Sequence, residues 1–237
     1  MLSENVISEL STRWQTTRRN IAREYLQHLF LSSLYRLKDS RGLAFKGGTA
    51  LRLLFRSPRF SEDLDFSGEI KAFHLQRLLT QVVSSLKEEG VALTVAESKP
   101  TSGGFFALFE GRLYEESLNI EVNVSFRKKI RPEPILVTTP LHPSYQCLVL
   151  PTAELVGEKC QALLTRRKPR DYYDLYFLLR ERLGIPVIVS LKNRLIDSIR
   201  SLDAKSVPRE LKVFLPVSHH QVVANLDKNL LAELNRL

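Results

Sequence analysis

The chain has 237 residues and a formal net charge of +9 at pH 7, with 43% hydrophobic and 26% charged residues. This ordinary globular composition allows one or two domains with a sizeable core. No apolar run approaches the roughly 18 residues that a membrane span needs, so we expect no membrane-spanning segment.

The first 150 residues alternate predicted helices and strands. The predicted elements are a helix over about 4–37, a strand over 43–46, a short helix over 49–55, a strand that starts at Asp63, an amphipathic helix over 72–89 closed by Gly90, and strands over 91–97, 105–114 and 118–126. Residues 132–143 contain several prolines and predict a connection, and residues 147–150 predict a short strand.

From Thr152 onward the pattern predicts only helices, over about 152–165, 169–179, 186–202 and 221–237. The change near Pro151 predicts two domains, a mixed α/β domain over 1–150 with an N-terminal helix and a helical domain over 151–237. Cys147 and Cys160 lie far apart and form no metal-ligand cluster. We expect both cysteines to be buried, reduced thiols of a cytoplasmic protein. The N-terminus has no basic-then-apolar signal pattern, which also favours a cytoplasmic location.

The strongest functional signal is the pair Asp63 and Asp65, which follows a Gly47-Gly48 turn and a short helix. Alternate residues of a strand face the same side, so the two carboxylates lie together and favour a divalent cation such as Mg²⁺. The two glycines expose backbone N–H groups at the start of a helix, where an anion is favoured. Each signal alone is common in turns and solvated strands, but the combination indicates phosphoryl or nucleotidyl transfer.

Glu121 is the candidate third carboxylate. It lies on the polar face of a strand whose apolar face carries Leu118, Ile120, Val122, Val124 and Phe126. If that strand lies beside the Asp63–Asp65 strand, Glu121 would complete a metal site or accept the proton of an attacking hydroxyl. The alternative is a glutamate that simply faces solvent.

A second group of charged residues lies in the predicted helices after residue 151. Lys159 and Arg166 share one helical face, and Asp171 and Asp174 share a face of the next helix. Lys159 would hold a triphosphate as a compact charge, with Asp171 or Asp174 orienting Lys159 or Arg166. The alternative is a network of ion pairs that joins the two halves.

Two segments carry a resemblance that covers residues 45–179. Lys46-Gly47-Gly48-Thr49-Ala50-Leu51 with Arg59-Phe60-Ser61-Glu62-Asp63-Leu64-Asp65-Phe66, followed by Glu158-Lys159, Ala162-Leu163, Arg166, Arg170-Asp171 and Asp174-Leu175, resembles the AbiEii/AbiGii toxin family of nucleotidyltransferases. That family belongs to the DNA polymerase β-type superfamily. One departure is Gly-Gly followed by Thr49 at the turn, where the superfamily often has Gly-Ser.

The resemblance implies an α+β fold, a nucleotidyltransferase-type mixed β-sheet flanked by helices with a helical C-terminal half. It implies Mg²⁺-dependent transfer of a nucleoside monophosphate from a nucleoside triphosphate (NTP) by a toxin of a toxin–antitoxin or abortive-infection system. A cognate antitoxin protein is then an expected partner, and some members modify the 3′ end of tRNA.

We therefore expect a nucleotidyltransferase that acts on RNA, with tRNA as the first candidate acceptor. The expected metal ligands are Asp63, Asp65 and Glu121; the expected nucleotide-binding residues are Gly47, Gly48, Thr49, Lys159 and Arg166; and the expected catalytic residues are Asp63, Asp65, Glu121, Lys159, Asp171 and Asp174. Basic clusters at Arg127-Lys128-Lys129 with Arg131, at Arg166-Arg167-Lys168 with Arg170, and at Arg18-Arg19 favour a polyanion. The alternatives are a small hydroxylated acceptor and a non-catalytic binding module on the same fold.

Overall fold

A computed structural model describes residues 1–127, 129–203 and 205–237. Its contacts divide the chain into two compact units. The first comprises Met1–Arg56 and Phe60–Leu150, and the second comprises Ser57–Arg59 and Pro151–Leu237. The short segment Ser57–Arg59 therefore belongs with the C-terminal residues, although it lies early in the chain.

Among its described residues, the first unit combines four α-helices with a seven-stranded sheet. The helices are α1 (Glu4–Arg13), α2 (Arg18–Arg36), α3 (Gly47–Phe55) and α4 (Ala72–Glu88), and the strands are β1 (Leu43–Lys46), β2 (Asp63–Gly68), β3 (Leu93–Thr101), β4 (Gly104–Leu113), β5 (Glu116–Phe126), β6 (Glu133–Thr139) and β7 (His142–Val149). The strand order is β3-β4-β5-β2-β1-β7-β6. The sheet is mixed, because β1–β7 and β2–β5 are parallel and the other pairs are antiparallel. The predicted mixed sheet flanked by helices is thus confirmed.

The apolar face of the sheet forms the core of this unit. Along β5 the side chains alternate as predicted, and Ile120 and Val122 are fully buried. Phe126, predicted on the same apolar face, is only half-buried. Phe30 of α2 packs against Phe109 of β4 with ring centroids 5.6 Å apart, which fixes α2 on this face.

The N-terminal region predicted as one helix is two helices. The chain turns at Gln15, which has a φ of 52°, and α2 begins after Thr17, whose side chain accepts a hydrogen bond from the Asn20 backbone. Helix α2 is buried along most of its length, including its polar residues. Glu24, for example, is buried, and its carboxylate accepts a hydrogen bond from Arg52 Nε at 2.7 Å.

The prediction that residues 132–143 form a connection is wrong. They contribute to a hairpin of β6 and β7, in which Pro134 is the register partner of Leu148. Strand β6 is the edge of the sheet, where a proline's missing N–H need not leave a partner carbonyl unsatisfied. The prolines therefore mark an edge strand in this case and not a loop.

The second unit contains seven helices among its described residues. They are α5 (Thr152–Arg166), α6 (Pro169–Arg180), α7 (Ile185–Ser190), α8 (Lys192–Arg200), α9 (Ser206–Leu211), α10 (His220–Ala224) and α11 (Leu226–Asn235). The helices predicted over 186–202 and 221–237 are each broken in two. The breaks fall at Leu191 and Asn225, where ψ is 4° and 32°.

None of the helices in the described parts of the chain has the length and apolar character that crossing a bilayer would require.

Candidate active site

The pair Asp63 and Asp65 lies at the start of β2, on the face opposite the core. Leu64 and Phe66, which alternate with them, are 0% and 1% exposed, whereas both aspartates are half-buried. The alternation therefore results from the burial of the two apolar residues, which leaves the carboxylates together on the accessible face.

The turn that precedes α3 lies directly against Asp65. Gly47 has a φ of +84°, and a Cβ at this position would lie 2.1 Å from Asp65 Oδ2 and 2.8 Å from Asp65 Cβ. A glycine is required here for two reasons, the left-handed backbone and the close approach of the carboxylate. The glycine turn and the aspartate pair predicted from the sequence thus meet in the structure.

We expect Gly47→Ala to reduce nucleotide transfer by about 10²-fold or more, because the added methyl group would displace the Asp65 carboxylate and a misplacement near 1 Å has an effect of that order. Steady-state kinetics on the folded variant would test this. Gly157→Ala is the matched control, since a Cβ there meets its nearest neighbour only at 3.9 Å and we expect unchanged kinetics. Equal activity in the two variants would contradict the inference that a glycine at position 47 is needed to keep the Asp65 carboxylate in place.

Thr49 connects α3 to the strand that carries the aspartates. Its side chain is fully buried, and its hydroxyl donates a hydrogen bond to the backbone carbonyl of Asp63. The hydroxyl therefore fixes the position of Asp63. The prediction of a phosphate cradle at Gly47, Gly48 and Thr49 therefore depends on backbone N–H groups at the start of the helix, and not on the Thr49 hydroxyl.

Strand β5 places Glu121 beside the pair, with the Cα of Glu121 opposite that of Asp63. However, no three His, Cys, Asp or Glu side chains within residues 1–127, 129–203 and 205–237 are grouped so as to hold a metal ion. Asn123 Nδ2 donates to Glu121 Oε1 at 3.0 Å, which directs this carboxylate along its own strand. The structure thus places Glu121 next to the pair but does not bring all three carboxylates together.

Two residues on this face had no predicted role. Lys46 of β1 and Asn123 of β5 are the register partners of Asp65 on its two sides. Lys46 is only 7% exposed, so a buried cation flanks the carboxylate pair. Lys46 could have been identified from its place directly before the Gly47-Gly48 turn. Because β2 runs antiparallel to β1, a residue at that place lies opposite the aspartate pair.

Helix α2 holds the chain that leads into Asp63. Gln27 is 2% exposed, and its Nε2 donates to the carbonyl oxygens of Ser61 and Glu62 at 2.9 and 3.0 Å. Arg23 pairs with the Glu62 carboxylate at 2.7 Å. These contacts fix the backbone just before the aspartates. No local pattern indicates them, because the partners lie more than 30 positions apart.

In the second unit, Lys159 belongs to a buried group of three charges. Asp174 accepts a hydrogen bond from Lys159 Nζ at 2.7 Å and two from Arg59, at 2.8 and 3.0 Å. Burial alone would raise the pKa of Asp174, but the two cations outweigh it and lower the pKa to about 2. Asp174 is thus part of an ion-pair network, but the three residues all belong to the second unit, so the network lies within this unit and does not join it to the first. Arg59 is a partner that the sequence did not reveal.

Asp171 and Arg166 form a separate pair at the junction of α5 and α6. Arg166 donates to both carboxylate oxygens, at 2.8 and 2.6 Å, and the Lys168 backbone N–H donates to the same carboxylate at 3.3 Å. Asp171 is buried, whereas the Arg166 side chain is 43% exposed. Asp171 therefore caps α6 and orients Arg166, as one of the sequence alternatives proposed.

Most residues of the predicted basic clusters that the structure describes are exposed, but Arg170 is half-buried. Arg127, Lys129 and Arg131 lie at the surface of the first unit, and Arg167 and Lys168 lie at the surface of the second. Lys128, the central residue of the first cluster, lies outside the described residues.

Cys147 and Cys160 are both free and buried. Burial raises the pKa of each thiol, that of Cys160 to about 11. Both thiols therefore stay protonated at neutral pH, which makes them unreactive.

Comparisons with known proteins identify a family and a shared fold. The sequence profile of the family described as "Nucleotidyl transferase AbiEii toxin, Type IV TA system" matches residues 29–222. No curated protein sequence matches the chain.

The fold is similar to that of MenT4, a nucleotidyltransferase toxin from Mycobacterium tuberculosis H37Rv, with a TM-score of 0.70 and 18% identity over 100% of this chain and 91% of that chain. It is also similar to JHP933 from Helicobacter pylori, with a TM-score of 0.58 and 18% identity over 93% of this chain and 95% of that chain. At these identities the two structures show a shared fold alone, whereas the family match spans most of the sequence. The chain belongs to the AbiEii family of nucleotidyl transferase toxins of type IV toxin–antitoxin systems.

Proposed function

We propose that the protein transfers a nucleoside monophosphate from an NTP to a hydroxyl group of an RNA, with the 3′ end of tRNA as the first candidate. The observation that carries this proposal is the Asp63–Asp65 pair packed against the Gly47 turn. Family membership implies an NTP substrate and a cognate antitoxin. The net charge of +9 supports a polyanionic acceptor.

We propose Mg²⁺ as the cofactor, held by Asp63 and Asp65. The donor set fits this ion, because Mg²⁺ is commonly bound through one or two carboxylates together with substrate phosphates. When bound, it would neutralise negative charge on the transferred phosphoryl group. Since the ion offsets the two carboxylate charges, Lys46, buried on the same face, would help to balance the negative charge of the bound triphosphate.

The protein groups around the pair have separate proposed roles. Backbone N–H groups of Gly47, Gly48 and Thr49 would bind the triphosphate at the start of α3. Glu121, one strand away from Asp63, would accept the proton of the attacking hydroxyl. In-line attack on the α-phosphorus would form the new P–O bond and release pyrophosphate, with catalysis mainly through positioning.

The two cations of α5 differ in their suitability for the triphosphate. Lys159 is 10% exposed and paired with a buried carboxylate, so we propose that it stabilises the second unit. Arg166 is 43% exposed and oriented by Asp171. Arg166 is therefore the better candidate for binding an anion.

The acceptor is tested by RNA labelling with each radiolabelled NTP, total RNA and Mg²⁺ at several salt concentrations. If the acceptor is RNA, we expect the affinity of the protein for RNA to fall steeply as the salt concentration rises. The slope of log affinity against log salt should be about −0.7 for each phosphate contact with a single strand. Reversal of Arg167 and Lys168 to glutamate should weaken RNA labelling and flatten the slope.

Arg209→Glu/Lys212→Glu is the matched control, since it makes the same charge change at exposed residues outside the predicted clusters. Labelling that is independent of RNA and insensitive to salt would favour a small-molecule acceptor. A complete absence of nucleotide turnover would favour a non-catalytic binding module.

A further inference from the structure

A cleft of about 540 Å³ opens on the sheet of the first unit, on strands β3, β4 and β5. It is lined by residues 97, 99 and 101 of β3, by residues 103–106 at the start of β4 and by residues 123–125 of β5. The strand register places one set of these on a single sheet face: Glu97, Lys99, Thr101, Phe106, Asn123 and Ser125. These side chains alternate along their strands with residues of the core face. The cleft therefore lies on the same sheet face as Asp63 and Asp65.

The strand register connects this cleft directly to the aspartate pair. Asp65 lies opposite Asn123, Asn123 lies opposite Phe106, and Phe106 lies opposite Lys99. Directly opposed residues share a face, so these four residues form one row across the sheet. With strands about 4.8 Å apart, the Phe106 ring lies two strands, or roughly 10 Å, from the carboxylate. That is about the length of one nucleotide.

Phe106 does not belong to the core. Its neighbours in sequence and on the strand, Phe105 and Phe109, point to the other face and are 3% and 1% exposed. Phe106 is half-buried and surrounded by polar side chains. The Phe106 ring therefore does not fill the buried core of the first unit.

The cleft combines the groups that bind a nucleobase. Phe106 offers an aromatic ring, and the Lys99 ammonium, which pairs with Glu97, lies 5.9 Å from the ring centroid. Asn123 carries a carboxamide that both donates and accepts hydrogen bonds. Aromatic stacking supported by a cation and an amide is the usual way of holding an unpaired base.

The floor of the cleft consists of directly paired backbone of β4 and β5. A Cβ on Gly104 would lie 1.9 Å from the Val124 carbonyl oxygen, so β4 and β5 are in backbone contact beneath the cleft. Antiparallel pairing continues from Gly104 opposite Ser125 to Leu113 opposite Glu116. The position of Phe106 relative to Asp65 is thus set by backbone hydrogen bonds.

We propose that this cleft is a nucleobase-binding subsite in which the base stacks on Phe106 while its nucleotide reacts at Asp63 and Asp65. The inference rests on the proposed nucleotidyl transfer and deepens it. The base belongs either to the incoming NTP or to the terminal nucleotide of the RNA acceptor.

Kinetics of Phe106→Ala distinguish these two sources. Loss of base stacking should raise one KM by about 5- to 150-fold. A higher KM for the NTP alone assigns the subsite to the incoming nucleotide, and a higher KM for RNA alone assigns it to the acceptor. Phe106→Leu, which keeps apolar volume without a ring, should show a similar defect, and Phe106→Trp should restore activity.

Phe73→Ala is the matched control, because this phenylalanine of the same unit is 72% exposed outside the sheet. We expect it to leave both KM values unchanged. A Phe106→Ala variant whose two KM values stay within about twofold of wild type would overturn the proposal.

Fluorescence of Phe106→Trp provides a test that is independent of turnover. Wild-type protein contains one tryptophan, Trp14, and supplies the baseline. Stacking of a base should quench emission of the introduced indole on titration with NTP or with short single-stranded RNA, whereas inorganic triphosphate should have no such effect. No response to either nucleotide probe would overturn the subsite even in an active enzyme. Quenching in a protein without transfer activity would support the subsite and refute the proposed reaction.

Discussion

Asp65→Asn and Asp63→Asn should each reduce nucleotide transfer by about 10³-fold or more. Asparagine keeps the shape of the side chain but removes the charge that would hold the cation, and a metal ion contributes several kcal/mol to transition-state stabilisation. Both residues are half-buried on the accessible sheet face, so we expect the fold to persist. Transfer rates at saturating NTP, together with circular dichroism spectra, are the measurements.

Glu110→Gln provides the control for these two variants, because Glu110 is an exposed carboxylate of the same sheet. It should transfer nucleotides at the wild-type rate. Excess Mg²⁺ should recover part of the loss in the aspartate variants if binding of the ion is what they weaken. Wild-type turnover in a well-folded Asp65→Asn variant would contradict the proposal that Asp65 is a metal ligand.

Asp174→Asn should lower the free energy of unfolding by about 3–5 kcal/mol, because it leaves Arg59 and Lys159 buried without their shared anion. Urea denaturation followed by circular dichroism would measure this. Arg200, which is 69% exposed, forms a surface pair with Asp197, and Asp197→Asn should change stability by less than about 1 kcal/mol. An equally small change for Asp174→Asn would show that the buried charges contribute little to the free energy of unfolding.

The buried group of Arg59, Lys159 and Asp174 also predicts how the stability of the protein changes at acid pH. The pKa of Asp174 falls from 3.8 to about 2 on folding. Its contribution to stability is therefore fully present above about pH 4 and is lost as the pH falls toward 2. The acid-induced decrease in stability between these values should be smaller in Asp174→Asn than in wild type.

Lys159→Met separates the two roles of this lysine. A structural role predicts a lower unfolding temperature with unchanged transfer per folded molecule. A role in triphosphate binding predicts instead a higher KM for the NTP at temperatures where the variant is fully folded.

The sequence was most informative where local rules dominate. Strand β1, the glycine turn and the aspartate strand β2 follow from side-chain alternation and from the backbone freedom of glycine, and both rules act within a few residues. The alternation of β5 was predictable for the same reason. Glu121 could accordingly be placed on the correct face before its neighbours were known.

Contacts between distant residues could not be predicted in this way. Gln27 and Arg59 act through partners 34 and 115 positions away, and only the fold brings such residues together. The row from Asp65 to Phe106 depends on strand order and register, which alternation within one strand does not define. The hairpin of β6 and β7 was missed because prolines indicate a loop unless the strand is known to lie at an edge.

A chimera of two relatives of this protein would need two exchanged segments to transfer the whole second unit, residues 57–59 and residues 151–237. Arg59 lies 115 positions from Asp174, and Ser57–Arg59 is part of the second unit although the first unit surrounds it in sequence. A single crossover near codon 150 would combine the arginine of one parent with the aspartate of the other. A single crossover can therefore exchange these halves without loss of the contact only between genes that both encode this arginine–aspartate pair.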